Sequence, residues 1–438
     1  MTPLTVGLLS VIALIILILC GVRIAFAMGI VTVVGFFLIS GNPAQAVSLI
    51  GSTFFSGIKE YGFAVLPLFI MVGCILSVSN LGDDIYQSSE VIMRRIPGGL
   101  AVATVVANAI FAAIVGSSIA SAAAFSKIAY GPMTKQGYEK KFALGCVAGS
   151  SVLGMLIPPS LLFILYGMLT GASVGKMFMA GIVPGIILAA MFSVEIIVRV
   201  LRNPQLAPKD NSGEKKSIKE NLHLLLKPWG CILLIVVVLG GIYIGYFTPT
   251  EAGAIAVVGA LLVALGYKRL NWENLKQIIR ETSETSGSVL LLLVTAKMFS
   301  RLIALSGCVN WLNSAIVNSG LSITLVLIIV LLIVVIMGCM LDSSSIFMLI
   351  LPMMLPILQA NGVDLIWFGV ILTISTEMGL ITPPFGVSVF TVKSCMGDAA
   401  SVEDIFSGSL PYLISMVAII ILLFIFPSLT TWLPSHMM

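Results

Sequence analysis

The chain has 438 residues, 59% of them hydrophobic and 10% charged, where soluble domains carry about 25% charged residues. With a formal net charge of only +4 this excludes a soluble protein, gives no reason to expect a nucleic-acid partner, and predicts an all-α polytopic protein embedded in a lipid bilayer. Two histidines, His223 in a polar loop and His436 at the C-terminus, exclude a His-built metal or proton-relay centre within the membrane, and seven scattered cysteines without a C-x-x-C pair read as apolar packing residues.

Apolar runs long enough to cross a bilayer, about 20 residues each, begin at residue 4 and recur to residue 430. The run 4–20 lacks the basic start of a signal peptide and reads as a helix; spans 24–40 and 61–80 complete a first set of scaffold helices within 1–80. A partly charged stretch, 81–98, carries Asp83, Asp84, Glu90, Arg94 and Arg95 and reads as a connecting helix along the inner interface. Basic clusters at Arg94 and Arg95 and at Lys135, Lys140 and Lys141 flank the apolar segment 97–133. The positive-inside rule puts both its ends in the cytoplasm, so it reads as a re-entrant hairpin with Gly116-Ser117-Ser118 at its tip. An interrupted helix, 142–166, and a last span close a first repeat, 1–198.

The linker 199–227 is basic and cytoplasmic, with Arg199, Arg202, Lys209, Lys215, Lys216, Lys219 and Lys227. A second repeat, 228–438, follows: scaffold spans in 228–267, a charged stretch 271–286 taken as equivalent to 81–98, a span 287–307, and an uncharged connection from Ser306 to Gly320. A hairpin, 321–358, then enters from the outer face, followed by an interrupted helix, 365–390, and a final span. Counting crossings places both termini outside and inverts the two halves, an arrangement many secondary transporters share.

The repeat rests on an ordered series of matches. Gly21, Gly29 and Gly35 recur as Gly245, Gly253 and Gly259; Gly154-x-x-x-Pro158-Pro159 recurs as Gly379-x-x-x-Pro383-Pro384; Ala172-Ser173-Val174 recurs as Ala400-Ser401-Val402. A double proline removes backbone donors, and broken helices persist in lipid only where protein or a water-filled cavity satisfies them. The breaks at Pro158, Pro159, Pro383 and Pro384 therefore predict free carbonyls for a cation, with the next helix's N-terminus favouring an anion. Hydroxyl-rich tips, Gly116-Ser117-Ser118 with Ser121 and Gly338 to Ser345 around Asp342, add oxygen ligands suited to a hard monovalent ion such as sodium. Lys297, Arg301, Asp342 and Glu377 are ionisable residues at membrane depth. Either they pair with one another, or one cation faces a substrate carboxylate while Asp342 neutralises sodium.

The runs VGSSIASAAA (115–124), LGMLIPPS (153–160), TPTEAGAIAV (248–257), GCMLDSSSIFMLILPMMLPI (338–357) and MGLITPPFGVSVF (378–390) together resemble the large membrane subunit of TRAP (tripartite ATP-independent periplasmic) transporters, across essentially the whole chain. The resemblance implies an ion-transporter-superfamily fold, with a transport domain of hairpins and broken helices moving against a scaffold in elevator fashion in the bacterial inner membrane. It further implies sodium-driven uptake of an organic acid, with no catalysis, aided by a periplasmic substrate-binding protein (P) and a small membrane subunit (Q). At least two sodium ions would be carried. One would lie at Ser117, Ser118, Gly149, Ser150 and Gly154; the other at Gly338, Asp342, Thr376, Gly379 and Thr382. Substrate candidates are Ser121, Pro159, Ser345, Pro384, Arg301 and Lys297. The competing reading is a stand-alone sodium/dicarboxylate symporter of related fold.

Overall fold

The computed structural model describes residues 2–208 and 218–437, and the linker lysines Lys209, Lys215 and Lys216 lie outside them. The described residues form helices and turns with no strand. Eight of these helices are long and apolar enough to cross a membrane. Exposed Leu8, Ile12, Ile15, Ile16, Ile232, Leu233, Val236, Val258 and Leu262 give the outer helices an apolar face that lipid covers and water would penalise.

Capping residues set many boundaries. Asn42, Thr248 and Asn271 accept hydrogen bonds from the first turns of the helices they precede. Thr248 and Glu251 complete a reciprocal capping box, with Pro249 at the first helical position where its missing donor costs nothing.

The two halves correspond element by element. Pro3–Leu19 and Ile24–Ser40 match Trp229–Tyr243 and Pro249–Gly266; Pro43–Ile58 and Val65–Val78 match successive parts of one helix, Trp272–Ser306; Leu81–Met93 matches Cys308–Ser319. Next come two hairpins, Gly99–Val115 with Ser118–Ile128 and Ile323–Gly338 with Ser343–Ala360. The broken helices are Lys140–Leu156 (with a one-residue turn at Val152) followed by Leu161–Thr170, and Leu365–Leu380 followed by Val387–Met396; long helices Val174–Arg202 and Val402–Ile425 end the repeats.

This order corrects the expectation for the charged stretches. The partner of 271–286 is Pro43–Ile58, a helix the sequence reading did not foresee, and the partner of 81–98 is Cys308–Ser319, read from sequence as a connection. Nor is 271–286 a separate interfacial piece. It runs without interruption into the next span as a 35-residue helix, about 52 Å long at 1.5 Å per residue, because the lone Gly287 costs only about 1 kcal/mol relative to alanine and breaks nothing.

The packing is crosswise. Helix 24–40 lies on 272–306, while 65–78 lies on 249–266. In the interior, 161–170 packs on the second hairpin arm 343–360, and 387–396 packs on the first hairpin arm 118–128. Each break thus faces its own hairpin tip on one side and sends its second half onto the other repeat's hairpin. The helices 140–151 and 402–425 cross at glycines, where a Cβ on Gly145 would lie 2.1 Å from the Gly408 carbonyl carbon.

Candidate functional site

At the first break the 140–156 helix ends when Ile157 turns extended (φ −83°, ψ 123°), and Ser160 starts the next helix by accepting the Phe163 N–H at 3.5 Å. The Ser160 hydroxyl donates to the Met155 carbonyl at 2.5 Å. The first hairpin turns at Gly116, whose φ of +65° favours glycine, and the Gly116 carbonyl accepts the Leu161 N–H at 3.3 Å. Tip and break are therefore joined through backbone. The second half repeats this: the Cys339 carbonyl at the hairpin tip accepts the Gly386 N–H just after the break, at 3.0 Å. Both Pro-Pro bonds are cis.

Missing side chains allow the approach. A Cβ on Gly154 would stand 2.7 Å from the Ser117 carbonyl oxygen, and one on Gly379 would stand 2.5 Å from Gly338 Cα. Of the sequence candidates, Ser117 caps helix 118–128, and Ser118 and Ser121 are fully buried with hydroxyls that have no partner. Ser150 donates to the Cys146 carbonyl at 2.7 Å and accepts from Asn108 Nδ2 at 2.6 Å. Thr376 and Thr382 hydroxyls donate to the Leu372 and Met378 carbonyls at 2.8 and 2.6 Å, leaving oxygen lone pairs free. Gly149 lies under the Tyr412 ring, where a Cβ would meet Tyr412 Cγ at 2.4 Å, so the position has no room for a side chain.

The ionisable residues behave differently from expectation. Lys297 does not meet Asp342 or Glu377; it pairs with Glu60 and sits 4.9 Å from the Phe63 ring centroid. Arg301 is exposed on the long helix and pairs with neither carboxylate. Asp342 is exposed and caps helix 343–360, accepting the Ser345 N–H at 3.2 Å and bonding the Ser345 hydroxyl, which occupies that substrate candidate. Glu377, by contrast, is 1% exposed and accepts the Ser343 hydroxyl at 2.7 Å.

Asn108, Ser375 and Ser388 fell outside the candidate set, whereas Ser343, in the second tip, and Glu377, an ionisable residue at membrane depth, stood among the candidates without a place in the sodium sets. Buried atoms without a partner include Asn108 Oδ1, Ser118 Oγ, Ser121 Oγ, Ser375 Oγ, Glu377 Oε2 and Ser388 Oγ. All six lie on the hairpin arms and broken helices. Leaving a buried polar group unsatisfied costs about 1–3 kcal/mol, so these are oxygens that a bound ligand could satisfy. A lone amide at Asn108 in an apolar hairpin arm was the signal that could have identified it. The two breaks differ in exposure: Pro158 and Pro159 are buried, whereas Pro383 and Pro384 are exposed.

Residues 11–429 match the family described as the tripartite ATP-independent periplasmic transporter, DctM component. The chain is 31% identical, over 96% of its length and 97% of theirs, to a C4-dicarboxylate TRAP transporter large permease protein of Rhodobacter capsulatus. It is 29% identical, over 95% and 96%, to an ectoine TRAP transporter large permease protein of Halomonas elongata. The solved YdaH transporter of Alcanivorax borkumensis shares the fold with a TM-score of 0.62, covering 89% of each chain at 15% identity.

Proposed function

The chain belongs to the DctM family of tripartite ATP-independent periplasmic transporters, as a multi-pass large permease, and from that premise we propose that it performs sodium-coupled uptake of an organic acid across the bacterial inner membrane. The observation that supports the reading is the repeated backbone junction of hairpin tip and helix break, Gly116 with Leu161 and Cys339 with Gly386, beside unpartnered buried oxygens on the first hairpin and the second broken helix. Carbonyl and hydroxyl oxygens in a site with few charges suit a monovalent ion that sheds water readily, and the absence of any group of three His, Cys, Asp or Glu among the described residues argues against a transition-metal or calcium site. One sodium ion would bind between the Gly116–Ser118 tip and the first break, from Ser150 to Gly154. A second would bind between Gly338 and the second break, from Thr376 to Thr382.

The organic acid would arrive with a periplasmic binding protein and enter between the tips, near Ser121 and Ser388. Here the N-terminus of helix 387–396, which has no side-chain cap, offers unpaired N–H groups to a carboxylate. A separate small membrane subunit would pack on the outer helices. Relatives carry ligands as different as C4-dicarboxylates and ectoine by name, which fits selection residing in the binding protein. The interlocked hairpins and broken helices would move as one body against the helix pairs 24–40 with 272–306 and 65–78 with 249–266, the elevator motion. The exposed second break then corresponds to a state open on one side.

The test is uptake in proteoliposomes containing the permease, its small subunit and the binding protein. An inward sodium gradient is expected to drive accumulation, and replacing sodium with choline is expected to reduce it at least 100-fold; gradient-independent flux would overturn the reading. Within that assay Asn108→Ala, which removes one buried hydrogen bond to Ser150 worth about 0.5–1.5 kcal/mol, is expected to raise the sodium concentration for half-maximal uptake about 3- to 10-fold.

A further inference from the structure

The two break sites use neutral oxygens, which leaves one buried charge unexplained. Glu377 lies two residues before Gly379, is 1% exposed, and is held from the second hairpin by the Ser343 hydroxyl on Oε1 at 2.7 Å. Its Oε2 has no partner. Ser118, from the first hairpin, faces the same carboxylate without closing a hydrogen bond to it, and its hydroxyl oxygen is likewise unpartnered. The carboxylate thus stands between tips that belong to different repeats, and no ion pair reaches it among the described residues. A carboxyl group in such a place is either protonated or balanced by a positive charge, because desolvating the ionised form alone is prohibitive, and a bound cation supplies that balance.

We infer that Glu377 is the charged ligand of a further monovalent-cation site between the two hairpin tips, completed by Ser118 and positioned by Ser343. This rests on the proposed sodium-coupled transport and adds an ion to it. One carboxylate with neutral hydroxyl oxygens balances a single positive charge, which favours a monovalent ion. The site is peculiar to the second repeat's sequence, since Glu377 corresponds to Val152 in the G-x-x-x-P-P alignment. It takes one hydroxyl from each hairpin, so its ion would hold the tips together.

The experiment follows sodium binding to the purified full-length permease by intrinsic tryptophan fluorescence, titrating sodium chloride at constant ionic strength against choline chloride. Wild type is expected to bind cooperatively; Glu377→Gln is expected to lower the Hill coefficient by about one and raise the midpoint at least 10-fold. Ser118→Ala, which keeps the charge, is expected to raise the midpoint about 3- to 10-fold without lowering the charge moved per substrate in proteoliposomes. Glu377→Gln is expected to reduce that charge by one. A folded Glu377→Gln protein with wild-type midpoint, slope and charge overturns the site alone. Should that variant fail to fold, an unshifted Ser118→Ala titration overturns it equally. A wild-type chain indifferent to sodium overturns the transport reading and this site together.

Discussion

Gly379→Ala is expected to abolish sodium-driven uptake, lowering its rate about 100-fold or more while the protein remains folded. The added methyl would lie 2.5 Å from Gly338 Cα and 2.6 Å from the Val335 carbonyl oxygen, both backbone atoms of the second hairpin's first arm. Flexible side chains can yield to an extra methylene, and overpacking then costs about 1–3 kcal/mol. A helix backbone yields only as a unit, so the arm must move away from the broken helix. That movement separates the tip from the carbonyls facing it and disturbs the Cys339 to Gly386 hydrogen bond. A loss of about 3 kcal/mol at the ion site corresponds to about 100-fold in rate or affinity. Gly51→Ala and Gly287→Ala are the controls, because nothing lies within 4 Å of a Cβ at either. Both stand in helices, and each is expected to leave uptake unchanged and to raise thermal stability slightly. If Gly379→Ala transported as well as these controls, the close approach of tip and break would have no part in transport.

The symmetry that sets Gly379 against Gly338 was readable in sequence because it depends on residue types with strong backbone consequences. The recurring G-x-x-x-P-P, the glycine-serine tips and the basic clusters each constrain the chain locally, so spacing alone exposed two hairpins and two breaks. Helix 43–58 is hard to read from sequence because its half-apolar composition resembles a loop as much as a helix, and Asn42-Pro43 suits a turn as well as a helix start. The long helix 272–306 escaped for the opposite reason: a change from polar to apolar composition at Gly287 looked like a boundary, although composition reports what surrounds a helix and not where it ends.

Side-chain direction was the harder problem. Asp342 and Glu377 each lie in a motif at the second site, and sequence favoured Asp342 as the ion's counter-charge. Asp342 instead occupies the N-cap position, where a carboxylate is best used on its own helix's N–H groups, so it turns outward. Glu377 lies inside helix 365–380, where every residue from Trp367 to Glu377 is buried, so its burial follows from the helix's central place in the fold. The pair of Lys297 with Glu60 joins residues from different repeats, and no local pattern announces such a contact. The same is true of the charged cluster that ties helix 81–93 to the second repeat.

That cluster yields the second large effect. Arg269→Ala is expected to destabilise the permease by about 3 kcal/mol, the lower end of the range for breaking a buried ion pair. Asp84 has a side chain only 3% exposed and is held by Arg269 Nη1 at 2.6 Å. The same guanidinium nitrogen donates to the Ser79 and Asn80 carbonyls at 3.2 and 3.1 Å, closing the turn into helix 81–93. Lys227 stands 3.6 Å from the other carboxylate oxygen and donates to Gln87 Oε1 at 2.9 Å. It keeps part of the charge compensated, which sets the cost toward the low end. The double variant Asp84→Asn with Arg269→Ala removes the stranded charge along with its partner, so it is expected to be more stable than Arg269→Ala alone. In a double-mutant cycle read by thermal unfolding in detergent, the coupling is expected to exceed 1 kcal/mol. Additive single effects would mean that Arg269 serves only the two carbonyls. A favourable coupling would show that the helix leading into the first hairpin is fastened by charge to the start of the second repeat, and so that one inverted half restrains the movement of the other.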